Sequence, residues 1–208
     1  MAFLLNWFVK ITGAIPALIV FRTKYYFEDR AVQGRRIRGR AIVASNHTAL
    51  TDFASNLFAF PLNTLRCAVA EVMFNKGWLM NGFLRALGAI RVDRDVQDFS
   101  FLARAQQVLD GGGVVEIFPE SRLPDAGDAR PLPFKPSAVY LALITDTPII
   151  PVYTNGEYYN TRRHKVVIGK PIRPTELYDS ALSEKENVER ITEILRGKII
   201  ELGKIIEE

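Results

Sequence analysis

The sequence contains a single cysteine, Cys67, and only two histidines among its 208 residues. One cysteine excludes an internal disulfide and any metal site built from several cysteines. It also fits a reducing, cytosol-facing location. Charged residues make up 24% of the chain and hydrophobic residues 48%, a balance that excludes a disordered protein. At this length, one domain with its own hydrophobic core is the expected organisation.

Basic residues exceed acidic residues by four, and this excess is concentrated near the N-terminus. The segment 22–40, RTKYYFEDRAVQGRRIRGR, contains seven lysines and arginines against two acids. Such a cluster attracts phosphate groups on lipid or nucleic acid, although a solvated basic turn explains it equally well. Because aromatic stacking motifs and zinc-ligand spacings do not accompany it, we expect no nucleic-acid partner.

The first 21 residues, MAFLLNWFVKITGAIPALIVF, form the most apolar part of the chain. As a helix, this segment has a narrow polar stripe of Asn6, Lys10 and Gly13. No cationic segment precedes it, which argues against a cleaved signal peptide. Twenty helical residues extend ~30 Å, enough to span a bilayer, but Lys10 and Pro16 argue against a clean span. A buried core helix fits the same pattern. The basic segment behind it favours a helix in the interface of an anionic membrane, on the cytosolic face, in a monotopic or peripheral protein.

From residue 41 onward, strand-like and helix-like segments alternate. This alternation predicts an α/β fold with a mainly parallel sheet flanked by helices. We expect residues 1–21 to form the membrane-interface helix and residues 22–208 to form one α/β domain. The segment HKVVIGKPI reads as a strand, possibly at an edge of the sheet, and the last 25 residues as an amphipathic helix. The loop 120–133 is long and rich in Pro and Gly, which predicts a position at a working edge of the sheet.

A histidine and an aspartate lie five residues apart in AIVASNHTALTDF. This segment predicts a strand followed by a helix, with His47 just past the carboxyl end of the strand and Asp52 in the first helical turn. Ligands of open α/β sheets bind at that edge. If Asp52 accepts a hydrogen bond from one imidazole nitrogen, the other nitrogen is left as a general base. A helix-capping Asp52 beside a partly buried His47 would explain the same spacing.

Three later segments extend this pattern in a fixed order. GAIRVDR delivers Arg94 from a strand end, FPESR presents Glu120 and Arg122, and IIPVY is a proline-interrupted strand. Together with NHTALTD, these resemble the four sequence blocks of the glycerolipid acyltransferases, the family of the lysophosphatidic acid acyltransferases. The resemblance covers roughly residues 40–155. The chain departs from the family pattern at Ala49, where serine is usual, and at Ser121, where glycine is usual; no threonine precedes Arg122.

The resemblance implies acyl transfer from acyl-CoA or acyl carrier protein to the free hydroxyl of lysophosphatidate, giving phosphatidate in phospholipid biosynthesis. His47 would be the base and Asp52 would stabilise the imidazolium. Thioester-to-ester transfer requires no metal and no cofactor. Arginines suit a phosphate because the guanidinium binds its oxygens in pairs. The expected substrate-binding residues are Arg94, Glu120, Ser121, Arg122 and, more weakly, Lys135, with Glu120 expected to orient a glycerol hydroxyl or an arginine.

Several alternatives stay open at this level. The acceptor could be another lysolipid or glycerol 3-phosphate. The same His–Asp pair could activate water in a membrane-bound thioesterase or lysophospholipase, in which case the arginines would have no obvious role. Arg94 and Arg122 could instead form surface ion pairs with Asp93 or Asp125. A lipid-binding module with an inert His–Asp pair is the remaining alternative.

Overall fold

The computed structural model describes residues 2–93, 99–159 and 162–207, which form a seven-stranded sheet with helices on both faces. The strands are β1 (Lys24–Phe27), β2 (Ala41–Ser45), β3 (Leu65–Ala70), β4 (Ile90–Val92), β5 (Val114–Ile117), β6 (Ile149–Thr154) and β7 (Lys165–Ile168). The helices are α1 (Ala2–Val20), α2 (Asp52–Ala59), α3 (Glu71–Phe74), α4 (Trp78–Leu87), α5 (Phe99–Asp110), α6 (Ser137–Thr145) and α7 (Glu184–Lys204), with a 3-10 turn at Pro174–Leu177. The strand order is β1-β7-β6-β2-β5-β3-β4.

All strand pairs are parallel except β6–β7, so the predicted mainly parallel α/β fold is confirmed. The central strand β2 is buried at every residue, because both faces of the sheet are covered. Ile42 and Ala44 pack on one face with residues of α5, α6 and α7. Val43 packs on the opposite face with Ala59 of α2.

One edge strand of the sheet is β1, which lies inside the basic segment; the other is β4. It pairs in parallel with β7, so β7 is the second strand and the prediction that HKVVIGKPI lies at an edge is wrong. Strand β1 has only four residues, two of them tyrosines, within a charged segment. The sequence there shows too little alternation of apolar and polar residues to predict a strand. Within the same segment, the Arg35 guanidinium donates hydrogen bonds to the carbonyls of Phe58 and Ala59 at the end of α2. Part of the basic segment is therefore structural, whereas Arg36 and Arg38 are exposed.

Helix α1 packs on α2 and α4 through its polar stripe, not through its apolar face. Asn6 and Lys10 are both buried, and the Asn6 amide donates to the carbonyl of Leu87. The Lys10 ammonium donates to the backbone carbonyls of Phe60, Pro61 and Asn63. Six large apolar residues of α1 are 62–72% exposed: Leu4, Phe8, Ile11, Ile15, Leu18 and Ile19.

This orientation rules out the interpretation of α1 as a core helix buried through its apolar side chains. Among the described residues, no helix combines the length and the hydropathy that a membrane-spanning segment needs. Removal from water lowers the pKa of Lys10 to about 8. The ammonium form is still the main one at neutral pH, which allows Lys10 to serve three carbonyls at once.

Lys10→Met should therefore destabilise the protein. Methionine keeps the length of the side chain but leaves the carbonyls at the end of α2 without their donor, at a cost of about 1–3 kcal/mol. Urea unfolding in mild detergent measures the change. Ile11→Ser on the exposed face is the matched control and should leave the unfolding midpoint unchanged; equal midpoints for Lys10→Met and the wild type would contradict this docking of α1.

The strand β5 carries a buried acid at the centre of the sheet. Glu116 is 1% exposed and accepts a hydrogen bond of 2.8 Å from the side-chain amide of Asn56 on α2. Burial raises the pKa of Glu116 to about 8, although Asn56 opposes the shift. Glu116 is therefore mainly an uncharged acid at neutral pH.

This acid should make stability depend on pH in a definite direction. Native Glu116 keeps its proton until the pH approaches its raised pKa of about 8, whereas the unfolded chain releases it near the ordinary glutamate pKa of 4.5. Between these values the native state binds more protons, so the free energy of unfolding falls as the pH rises. Glu116→Gln should remove that contribution. The melting temperature of the variant, relative to that of the wild type, should therefore rise as the pH is raised from 5 to 8. Glu189→Gln, at an exposed position of α7, is the control. If the melting temperatures of Glu116→Gln and wild type changed in parallel with pH, Glu116 would not be the buried protonated acid.

Candidate active site

The loop between β2 and α2 holds His47 at the carboxyl edge of the sheet. Strand β2 ends at Ser45, and the next residue, Asn46, fixes the direction of the chain. The Asn46 side chain donates to the carbonyl of Thr154 at 2.9 Å and accepts from its backbone N–H at 2.8 Å. These two bonds join the ends of β2 and β6. They place His47 where several parallel strands end, the usual ligand-binding edge of such sheets.

His47 and Asp52 form a hydrogen-bonded pair. The His47 Nδ1 atom lies 2.8 Å from Asp52 Oδ2, and the aspartate side chain has no exposed surface. The imidazole stacks on the Phe118 ring, with centroids 4.4 Å apart. Among the described residues, none forms a hydrogen bond with His47 Nε2, and the side chain lines a mostly apolar cavity. This arrangement leaves Nε2 available to accept a proton from a bound molecule.

The Asp52 carboxylate accepts five hydrogen bonds from residues that the structure describes. Oδ2 accepts from His47 Nδ1 and from the backbone N–H groups of Thr48 at 2.5 Å and Ala49 at 2.9 Å. Oδ1 accepts from the hydroxyls of Thr48 at 2.9 Å and Tyr158 at 2.7 Å. Burial raises the pKa of Asp52, but these donors outweigh it and hold the pKa below its ordinary value. Asp52 is thus ionised at neutral pH and able to stabilise a protonated His47.

Glu120 connects the third sequence block to the histidine loop. Its two carboxylate oxygens accept from the backbone N–H groups of His47 at 2.7 Å and Leu132 at 2.8 Å. The side chain is 5% exposed, and burial raises its pKa against the effect of these donors. In this structure Glu120 therefore fixes the backbone of His47. The expectation that it orients a substrate hydroxyl or an arginine stays a prediction.

Ser121 has the backbone conformation that explains the usual glycine at this position. Its φ angle is +63°, in the left-handed region that costs other residues about 1–2 kcal/mol. The Ser121 hydroxyl donates weakly to the Pro119 carbonyl at 3.4 Å, within the turn that follows β5. The serine is therefore tolerated locally, and its side chain lines the cavity mouth.

Of the predicted phosphate-binding residues that the structure describes, Lys135 lines the cavity beside His47 and Arg122 does not. Arg122 is about half exposed and forms ion pairs with Asp125 at 3.2 Å and Asp128 at 2.8 Å. Lys135 lines the cavity that contains His47. Arg94 lies outside the described residues. That these residues bind a phosphate stays a prediction. Arg122 would have to release Asp125 and Asp128 before it could bind the phosphate of a substrate.

A cavity of about 950 Å³ opens beside His47. Ser121 and Lys135 line it together with His47, and its walls are mostly apolar. Residues of α2, β3 and α4 that line it include Leu57, Leu65, Met80, Phe83, Leu84 and Leu87. Two of these, Met80 and Phe83, are also 37% and 40% exposed, so α4 contributes to both the cavity and the outer surface. The volume and lining suit a long hydrocarbon chain.

Two residues of this site were not identified from the sequence. Tyr158, in the loop after β6, donates to Asp52, and the second histidine, His164, lies against the Tyr158 ring. His164 has no exposed surface, and burial lowers its pKa to about 4. Only a short polar loop and an isolated histidine mark these positions in the sequence. Neither feature indicates contact with a residue more than 100 positions away.

Comparison with known proteins agrees with this geometry. A profile of the Acyltransferase family matches residues 22–155. A 1-acyl-sn-glycerol-3-phosphate acyltransferase of Bacillus subtilis is 25% identical over 173 residues, which cover 80% of this chain and 83% of the relative. The corresponding protein of Cocos nucifera is 27% identical over 172 residues, 78% of this chain but 53% of the plant protein.

A solved structure shares the fold. The crystal structure of the 1-acyl-sn-glycerophosphate (LPA) acyltransferase of Thermotoga maritima matches with a TM-score of 0.66 and 21% sequence identity. The match covers 95% of this chain and 79% of the other.

The family profile extends over well more than half of the chain, from β1 to the end of β6. The protein is therefore a member of the Acyltransferase family.

Proposed function

We propose that this protein moves a fatty acyl group from a thioester to the free hydroxyl of lysophosphatidate, giving phosphatidate. The observation that carries the proposal is the position of His47. Its Nδ1 is held by an ionised Asp52 at 2.8 Å, and its side chain lines an apolar cavity of chain-binding size. The names of the Bacillus and Cocos relatives support the choice of acceptor.

The reaction follows from this geometry. Nε2 of His47 removes the proton from the acceptor hydroxyl as that oxygen attacks the thioester carbonyl. Asp52 stabilises the imidazolium, and the proton then passes to the leaving thiolate of acyl-CoA or acyl carrier protein. The new ester forms directly, without an acyl-enzyme. We propose that neither a metal nor a cofactor takes part, since thioester-to-ester transfer needs neither.

The acyl chain and the phosphate occupy different parts of the site in this proposal. The apolar walls from α2, β3 and α4 hold the chain, because each buried CH₂ group contributes about 0.8 kcal/mol. Lys135 at the cavity lining, with Arg122 and Arg94 of the sequence blocks, provides the positive charge for the phosphate. Guanidinium groups bind phosphate oxygens in pairs, so loss of an arginine should act mainly on acceptor KM.

The direct test incubates purified protein with lysophosphatidate and either acyl-CoA or acyl carrier protein thioester, and identifies the product by mass. Wild-type protein should produce phosphatidate, and His47→Ala should lose about 10²–10⁴-fold in kcat because the base is gone. Melting temperatures should agree within a few degrees, since His47 lies in a loop.

Other products would redirect the assignment. Free fatty acid without phosphatidate would indicate a thioesterase or lysophospholipase that uses the same His–Asp pair. Acylation of glycerol 3-phosphate or another lysolipid in preference to lysophosphatidate would change the acceptor but keep the mechanism. Undiminished phosphatidate formation by His47→Ala would remove the base assignment.

We further propose that the protein acts at the cytosolic face of an anionic membrane, with α1 in the interface. The support is the exposed apolar face of α1, together with Trp78 and Leu79 of α4, the helix on which α1 packs, which are 81% and 67% exposed. A large exposed apolar surface marks an interaction site. Helix α4 also lines the cavity, so an acyl chain could pass between bilayer and cavity along this side. Exposed Arg36 and Arg38 add attraction to anionic headgroups.

Outer-face substitutions test this better than removal of α1, because Asn6 lines the cavity and Lys10 caps the region after α2. The triple variant Ile11→Ser, Ile15→Ser and Leu18→Ser changes side chains that are 70–72% exposed. Burial of such side chains contributes about 1.5–3 kcal/mol each, so partitioning to anionic vesicles should fall by at least about 100-fold.

The control for this variant is Ile194→Ser on α7, which removes an exposed isoleucine far along the chain and should leave vesicle binding intact. Sedimentation with vesicles measures binding, and turnover is compared on bilayer and short-chain soluble acceptors. Activity on the soluble acceptor should survive, since the His47 site is unchanged. A triple variant that still sediments with vesicles would disprove membrane docking through this face.

A further inference from the structure

The loop after β6 reaches the catalytic carboxylate through one tyrosine. Tyr158 lies 106 positions beyond Asp52 in the chain, yet its hydroxyl donates to Asp52 Oδ1 at 2.7 Å. Burial, reinforced by the neighbouring Asp52 charge, raises the pKa of Tyr158 above its ordinary value. The phenol therefore stays protonated and acts as a donor at any pH at which the enzyme works.

The backbone of this loop is shaped for the contact. Gly156 has a φ angle of +69°, and a Cβ atom there would lie 2.8 Å from the side chain of Thr48. Thr48 itself donates to Asp52 through both its N–H and its hydroxyl. Only glycine allows the loop to approach Thr48 this closely, and that approach brings Tyr158 to the carboxylate.

The Tyr158 ring contacts two aromatic neighbours. His164 lies against it, with ring centroids 4.2 Å apart, and His164 Nε2 is in turn 2.8 Å from the Ser55 hydroxyl on α2. With its pKa lowered to about 4 by burial, His164 is neutral and serves as a packing surface. Phe21 meets the Tyr158 ring edge-on at 5.6 Å and also lies 6.4 Å from the His164 ring, so the three rings form one cluster. Phe21 directly follows α1 and is itself 9% exposed.

We infer that Tyr158 is a positioning residue that fixes the orientation of the Asp52 carboxylate, and that Phe21 braces it from the end of α1. The inference rests on the proposed acyl transfer. Of the two donors to Oδ1, Thr48 belongs to the same loop as Asp52, whereas Tyr158 comes from another part of the sheet edge. Tyr158 thus fixes the orientation of the Asp52 carboxylate relative to the rest of the domain. Asp52 in turn fixes the orientation of the His47 ring through the hydrogen bond at Oδ2.

The test compares Tyr158→Phe with Tyr159→Phe, which removes the same atom from the neighbouring, 70% exposed tyrosine. A short-chain soluble lysophosphatidate is the acceptor, so membrane binding does not enter. Tyr158→Phe should lower kcat about 10-fold while acceptor KM changes less than about 2-fold, because the hydroxyl contacts Asp52 and not the substrate. Tyr159→Phe should match the wild type.

A double-mutant cycle separates positioning from general packing. In an Asp52→Ala background, Tyr158→Phe should cost less than about 2-fold, since the group that Tyr158 positions is absent. Phe21→Ala should also lower kcat, and Phe21→Leu should restore most of it by refilling the space beside the ring. Phe21→Ala should add little to Tyr158→Phe.

Two results would overturn the inference: kcat of Tyr158→Phe equal to that of Tyr159→Phe, or full additivity with Asp52→Ala. Both require an active wild-type protein. A wild type that forms no phosphatidate from the soluble acceptor would instead refute the proposed function, so the two failures are distinguishable.

Discussion

A carboxylate without contact to water organises this site. Burial of an isolated charge is strongly unfavourable, so Asp52 is stable as an anion only because donors surround both of its oxygens. Two of these donors are backbone N–H groups of its own loop, one is the Thr48 hydroxyl and one is His47. The fifth, Tyr158, comes from beyond β6. The same bonds that make the charge tolerable also fix the imidazole, and Glu120 fixes the histidine backbone from a third loop.

Helix α1 also buries polar groups that are stable only because they are hydrogen-bonded. Its polar side faces the protein and its apolar side faces outward, the opposite of a surface helix in a soluble protein. Its Asn6 and Lys10 face the protein, where backbone carbonyls accept their hydrogen bonds, and its large apolar side chains face outward. In water, six exposed side chains of this size leave a large unfavourable apolar surface. The arrangement is favourable where that surface meets hydrocarbon, because the apolar side chains then leave water. The lysine, which is buried in the protein, would not have to enter the hydrocarbon. Packing of α1 on the domain also places Phe21 against Tyr158, which links the outer helix to the His47–Asp52 pair.

Local patterns in the sequence allowed much of the fold and the centre of the site to be predicted. Alternation of apolar strands and amphipathic helices indicated the parallel sheet, and the His47–Asp52 contact spans only one strand-to-helix loop. Strand β1 was missed because its four residues lie in a charged segment. Tyr158 and the second histidine were missed because their partners are brought near by the sheet order, which places β6 beside β2. The partners of Arg122 depend on the path of a long loop that composition does not encode.

The buried acid on β5 adds a constraint on how the cavity can be used. Glu116 lines the mostly apolar cavity and accepts a hydrogen bond from the Asn56 side chain at 2.8 Å. Since its pKa is raised to about 8, Glu116 adds no charge to the cavity wall at neutral pH, and a hydrocarbon chain can lie beside it without a counter-ion. Ionisation at higher pH would place a second negative charge near Asp52, which already raises the pKa of Glu116. The protonation states of the two acids are therefore linked: the donors around Asp52 hold it ionised, and its negative charge in turn disfavours ionisation of Glu116.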